Sequence, residues 1–186
     1  NKGADTLVKA LGLLRGCQRE IDVKHVGADN EGKFARLVAT IPEGVAPVSL
    51  GYVSDTELSA LYRQARFLAF PSRYEGFGLP ILEACAVGRP LVTSRISPMD
   101  EIADDAACKV NPYNVLDIRR GVLKVIENET YRDQLVNNGW KMRYKYSIDN
   151  ITNKYTALYE EIATQPASEF FMFRQAKAAA SFLGLV

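Results

Sequence analysis

Two carboxylates, Glu75 and Glu83, stand with seven residues between them in the stretch PSRYEGFGLPILEACAVGRP. A Gly-Phe-Gly turn separates them, and an apolar, helix-like run starts at Leu79 with Pro80 in its first turn. Gly76 and Gly78 permit backbone conformations closed to other residues and let a ligand approach the main chain. The helix start presents unpaired N–H groups and a partial positive charge, which suit a phosphate. Carboxylates repel phosphate, so Glu75 and Glu83 on either side of it are better used on hydroxyls, to which an ionised acceptor bonds strongly. Phosphate in the middle and a polyol on each flank describe a nucleotide-sugar, with ribose on one side and hexose on the other. The spacing alone fits a plain strand-to-helix turn equally well, because the helix dipole by itself favours a glutamate early in a helix.

The elements around this stretch decide where it sits. Apolar residues Leu7, Val8, Leu11 and Leu14 recur at helical spacing from the start of the chain. Strands are then predicted over 21–28, 48–53, 67–71, 89–94 and 108–112, alternating with helices over 54–65, 79–88 and 97–105 and a polar, helical stretch ending near Ile41. Ser54 or Asp55 caps the 54–65 helix. From Val115 to the end of IDNITNKYTALYEEIA the pattern is helical throughout. Short strands alternating with helices imply an α/β, doubly wound, Rossmann-like parallel sheet. In such sheets ligands bind where strands lead into helices, and PSRYEGFGLP lies at one of those points. The loop Gly51–Asp55 lies at another and is suited to a base. Lys2 precedes the first helix; a solvated lysine and a diphosphate contact are both open to it.

Composition narrows the classes. A net charge of +1 supplies no bulk field to draw in nucleic acid or an anionic membrane, so any anion site is local. No apolar run reaches spanning length. Cys17, Cys85 and Cys108 are odd in number and widely spaced, which suits reduced thiols in a cytosolic protein. No Asp-x-Asp pair occurs and His25 is the single histidine, so the expectation is no metal and no bound cofactor, with helix N-termini and basic side chains neutralising a diphosphate. No Gly-x-Gly-x-x-Gly follows a strand, which disfavours a nicotinamide enzyme. His25, on a strand, is read as structural, and Trp140, Tyr144 and Tyr146 as packing residues of a late helix. Asp104-Asp105 reads as a helix terminus. The chain opens without Met on the brink of a helix, which is read as a domain lacking its first strand. The tail 165–186, with Phe170, Phe171, Met172 and Phe173, forms no clean stripe and has no assigned role.

The stretch PSRYEGFGLPILEACAVGRPLVTS, with GYVSDTELSALYRQARFLAF before it and EIADDAACKVNP after it, resembles the donor-binding, C-terminal half of retaining GT-B glycosyltransferases of family 4. The likeness runs from NKGADTLVKAL to about YTALYEEI, so the expected donor domain is 1–164. It implies that Glu75 contacts hydroxyls of the transferred hexose at the reacting face, and that Glu83 holds the ribose hydroxyls. It gives the amides of Gly76, Phe77, Gly78 and Leu79 to the sugar and diphosphate, and matches Lys2 to the lysine of a phosphate clamp. Val53 and Asp55, with Ser72 and Arg73, fall near the base. Where relatives often have Pro-Glu, this chain has Met99-Asp100-Glu101, which leaves Glu101 a weak candidate. The implied function is transfer of a hexose, with mannose from GDP-mannose the first choice and UDP-sugars open, to a glycan or lipid-linked acceptor held by an N-terminal domain that this chain lacks. The setting implied is cytoplasmic, at most peripheral to the inner face of a membrane. Two other readings share the architecture: a non-catalytic nucleotide-sugar-binding subunit, and a GT-B-type epimerase or phosphorylase.

Overall fold

A computed structural model describes residues 2–14, 21–29, 32–40 and 47–164. The readings placed on Cys17 and on the 165–186 tail lie outside the described residues. Five short strands alternate with helices: α1 (Ala4–Gly12), β1 (Val23–His25), α2 (Lys33–Val38), β2 (Pro47–Ser49), α3 (Asp55–Gln64), β3 (Leu68–Phe70), α4 (Leu79–Ala86), β4 (Leu91–Ser94), α5 (Met99–Ala103), a 3₁₀ turn (Asp104–Ala106), β5 (Ala107–Val110), α6 (Val115–Glu127), α7 (Glu129–Lys145) and α8 (Ile148–Thr164). The chain divides into two compact units, Asn1–Met142 and Arg143–Val186; the second contains α8, on which Tyr155 and Tyr159 lie with ring centroids 6.1 Å apart.

All strand pairs are parallel, as the alternation predicts. They form two ladders among the described residues, β1–β2 and β3–β4–β5, where the sequence reading expected one sheet. β4 is the central strand of the larger ladder, and its four residues are all buried, which is why LVTS shows no alternation with charged residues. The second strand is shorter than the predicted 48–53. The Leu50 N–H still reaches the His25 carbonyl and the Gly27 N–H the Gly51 carbonyl, but Gly51 turns at φ +65° and ends the extended run.

The core lies between α1, α6 and the larger ladder, joining Ala10, Leu11 and Leu14 to Val92, Val110, Ile118, Val122 and Val125. Gly121 is the contact that lets α6 close on the strands: a Cβ there would stand 2.5 Å from Val110 Cγ1. Trp140 packs as predicted, with its indole against Gly88, where α4 ends. Cys85 and Cys108 are free and buried, and burial raises the Cys85 thiol to about 11, so it behaves as a small apolar residue. His25 stacks on Phe34 with centroids 3.9 Å apart and meets Ser49 Oγ at 3.2 Å, a packing role.

Helix starts fix the loops at the carboxyl ends of the strands. In α3 the cap is Ser54, not Asp55: Ser54 Oγ accepts from the Glu57 N–H and Glu57 Oε2 accepts from the Ser54 N–H, a full capping box. Asn114 caps α6 by accepting from Leu116 and Asp117 N–H groups, both at 3.0 Å. Asp117 in turn accepts from the Asn111 N–H at 2.8 Å and pairs with Arg120. Burial opposes its charge, but these donors outweigh burial and hold its carboxyl below the ordinary range. No side chain caps α1 or α4, which begin at Gly3 and Gly78 in left-handed conformations. Among the described residues no helix is long and apolar enough to cross a membrane.

Candidate functional site

The loop 71–78 runs from the end of β3 to the start of α4, and its backbone is clamped from beneath. Pro71 and Ser72 are buried, and Ser94 Oγ at the end of β4 donates to the Ser72 carbonyl. From the other side Gly3 approaches the Pro71 carbonyl so closely that a Cβ would stand 2.0 Å from its oxygen. The start of α1 is thereby pressed against the loop, and the uncapped N-termini of α1 and α4 border the same eight-residue segment.

Glu75 is the centre of this arrangement. Its side chain is 12% exposed, and Lys2 Nζ donates to both carboxylate oxygens, at 2.6 Å and 2.8 Å. Ser72 Oγ donates to Oε1 at 2.7 Å. Lys2 also lies 5.6 Å from the centre of the Phe70 ring, within cation–π range. The Lys2 tip is thus paired with Glu75 in this structure. The lysine side chain remains 66% exposed, so the pair itself contributes at most about 1 kcal/mol to folding.

Arg73 points away from Glu75. Its guanidinium donates to Asp5 Oδ2 at 2.7 Å and to Thr6 Oγ1 at 2.9 Å, and lies 5.3 Å from the Tyr113 ring centre. Burial works against the Asp5 charge, yet the Arg73 bond prevails and its carboxyl sits below the ordinary range. Arg73 thus ties the first turn of α1 to the loop, and Ser72 supports Glu75 from below. Both were read as neighbours of a base, and the structure joins them to these partners.

Glu83 lies on the fifth residue of α4, half-buried, and accepts from the Tyr62 hydroxyl at 2.8 Å. Gly76 has open space around its Cα, while Phe77 is 39% and Leu79 60% exposed. Gly78 is buried with φ +106°, a geometry that turns the chain into α4. Val53 and Asp55 lie on the loop and first helical position between β2 and α3, Asp55 exposed. Glu101 is exposed on α5, a helix of five residues. The residues that local spacing did not reveal are Tyr62, Asp5, Thr6 and Ser94. Each meets a loop or α4 residue 21 or more positions away, and Asp5 meets Arg73 across 68. Only the fold makes such pairs.

An arrangement of two uncapped helix starts, a lysine, and two carboxylates with hydroxyl support can bind a polyol-linked diphosphate. Comparisons with known proteins show the family and the fold. The family model for Glycosyl transferases group 1 matches residues 1–142. The chain is 36% identical over 111 residues to O-antigen chain mannosyltransferase B of Escherichia coli, covering 60% of this chain and 29% of that protein. It is 29% identical over 173 residues to MMP alpha-(1->4)-mannosyltransferase of Mycolicibacterium hassiacum, covering 90% of this chain and 42% of that one. Among solved structures, a glycosyltransferase of Rickettsia africae superposes with a TM-score of 0.77 at 19% identity, over 89% of this chain and 45% of that one. The C-terminal domain of a Francisella tularensis glycosyl transferase group 1 protein gives 0.68 at 22% identity, over 79% of this chain and 80% of that one. The chain thus spans less than half the length of these two mannosyltransferases. Its fold is that of the Rossmann-like domains of GT-B glycosyltransferases, and it belongs to the glycosyl transferases group 1 family.

Proposed function

We propose that this chain is the nucleotide-sugar-binding domain of a retaining, family 4, metal-independent hexosyltransferase. The donor is GDP-mannose and the acceptor a glycan or lipid-linked glycan of the cell envelope, presented by a separate N-terminal domain. The observation that carries the reading is the Lys2–Glu75 pair, held between two uncapped helix N-termini by Ser72. The mannosyltransferase names of the relatives support the choice of sugar.

In this reading the diphosphate lies against the N-termini of α1 and α4, where backbone N–H groups and the helix dipoles stabilise its charge. Lys2 turns from Glu75 to the phosphates, and Glu75, still held by Ser72, accepts from hexose hydroxyls at the reacting face. The amides of Gly76, Phe77, Gly78 and Leu79 line the sugar and diphosphate. Glu83 accepts from the ribose, and the base lies toward Val53 and Asp55. Charge developing on the leaving diphosphate is met by fixed dipoles and Lys2, so the domain contributes mainly orientation and electrostatic stabilisation. Transfer occurs on the face that the leaving group departs, where the departing diphosphate takes the acceptor proton. The whole enzyme works in the cytoplasm, peripheral to the inner face of the membrane.

Thermal melts with GDP-mannose, UDP-glucose and UDP-N-acetylglucosamine test the choice of donor. A ligand at a hundredfold excess over its Kd adds about 2.7 kcal/mol of stability, and GDP-mannose is expected to give the largest rise, equal in magnesium and in EDTA. A larger rise with a UDP-sugar overturns the mannose assignment, and no rise with any of the three overturns the donor-domain reading.

A further inference from the structure

Glu83 meets one hydrogen-bond partner among the described residues, the Tyr62 hydroxyl, which donates to Oε2 at 2.8 Å. The two side chains come from neighbouring crossovers. Tyr62 stands in the last turn of α3, whose start is locked by the Ser54–Glu57 capping box. Glu83 projects from α4, which is anchored by buried Ile81, Ala84 and Cys85. Both are half-buried. A phenol has one proton to give, and burial together with the neighbouring carboxylate keeps that proton in place. Tyr62 is therefore a permanent donor, and one oxygen of Glu83 is always spoken for.

A glutamate on a helix surface otherwise samples several rotamers. Fixing one oxygen removes that freedom before any ligand arrives, and it aims the remaining acceptor capacity in one direction. We propose that Tyr62 is a positioning residue for Glu83: it holds Oε2 so that Oε1 is presented to a hydroxyl of the nucleotide's ribose. This rests on the donor-domain reading above. In this arrangement a carboxylate bound to Tyr62 grips the ribose mainly through one oxygen.

Ribose-bearing and ribose-lacking ligands separate positioning from bracing. GDP, UDP and ADP, and the 2′,3′-dideoxy form of each, are titrated into the wild-type chain, Tyr62→Phe, Glu83→Ala and the double variant. Freeing one side chain that must then be ordered by the ligand weakens binding by about three- to tenfold. Tyr62→Phe is expected to lose that factor for the best-bound nucleoside diphosphate and less than about twofold for its dideoxy form, by the same reasoning. In the Glu83→Ala background the Tyr62 substitution is expected to have no further effect. Equal losses on both ligands, an additive double variant, or no loss at all would overturn the role of Tyr62 and leave the donor-domain reading standing. Absence of nucleotide binding by the wild-type chain would overturn both. Should Tyr62→Phe be too unstable to titrate, the ribo-to-dideoxy preference of Glu83→Gln decides. With its single side-chain oxygen held by Tyr62 it turns an N–H donor, not an acceptor, to the ribose, so the preference should be largely lost, and its full retention would count against positioning.

Discussion

Gly3→Ala is expected to lower the stability of the chain by about 3 kcal/mol or more. Two effects add. A non-glycine residue in the left-handed conformation costs about 1–2 kcal/mol, and Gly3 has φ +69°. Overpacking a tight contact costs about 1–3 kcal/mol more, and here the obstacle is the carbonyl oxygen of Pro71 at 2.0 Å, not the free end of a flexible side chain. That carbonyl cannot step aside without moving Ser72, which is buried and bonded to Ser94 through its own carbonyl. The melting temperature is expected to fall by roughly 6 °C or more, given the few degrees per kcal/mol usual for chains of this size. Gly76→Ala is the matched control. It lies in the same loop with nothing within 4 Å of the added methyl and no positive φ, so a change within about 0.5 kcal/mol is expected. A Gly3→Ala melt within a degree of wild type would show that the start of α1 is not pressed against the loop.

The second large effect concerns the ion pair at the centre of the site, and it differs in sign between the two partners. Lys2→Met is expected to weaken nucleoside diphosphate binding by about tenfold or more, the usual scale for a lost charge-assisted hydrogen bond. Glu75→Gln is expected to act otherwise. In the free chain Lys2 is held by both oxygens of Glu75, so this contact must open before the lysine can reach a phosphate. Weakening it is expected to leave nucleoside diphosphate affinity unchanged or raise it by up to about fivefold, given the small worth of a pair with one exposed partner. The same substitution should cancel most of the extra affinity that the hexose gives the nucleotide-sugar, because a neutral amide accepts hydroxyl bonds less strongly than a carboxylate. Calorimetric titration of each variant with a nucleoside diphosphate and with its hexose conjugate reads both quantities. Parallel losses on the two ligands in Glu75→Gln would show that Glu75 serves the loop and not the sugar.

The order of elements was legible because each strand and helix announces itself locally. The buried run LVTS, the Ser54–Glu57 spacing and the Gly-Leu-Pro helix start are all signals within a few residues. The pair Glu75 and Glu83 stood out by spacing in the same way, whereas Lys2 was singled out by the family resemblance, and its pairing with Glu75 is seen only in the fold. What spacing could not supply was partnership. Ser72 and Arg73 are adjacent in sequence, yet one turns under Glu75 and the other reaches back to Asp5 and Thr6. Tyr62 carries no signal in the sequence, and its bond to Glu83 on the next helix is seen only in the fold. The end of β2 was overestimated because Tyr52 and Val53 continue an apolar pattern that Gly51 interrupts through its backbone.

The most direct test of the donor-domain reading is calorimetry with GDP, UDP and ADP, in magnesium and in EDTA, on the wild-type chain and on Glu83→Ala. The account predicts saturable one-to-one binding with a clear preference for GDP, unchanged by EDTA and weakened by about tenfold or more in Glu83→Ala through loss of charge-assisted bonds to the ribose. Binding that is absent for all three nucleotides, or that Glu83→Ala leaves untouched, would contradict it.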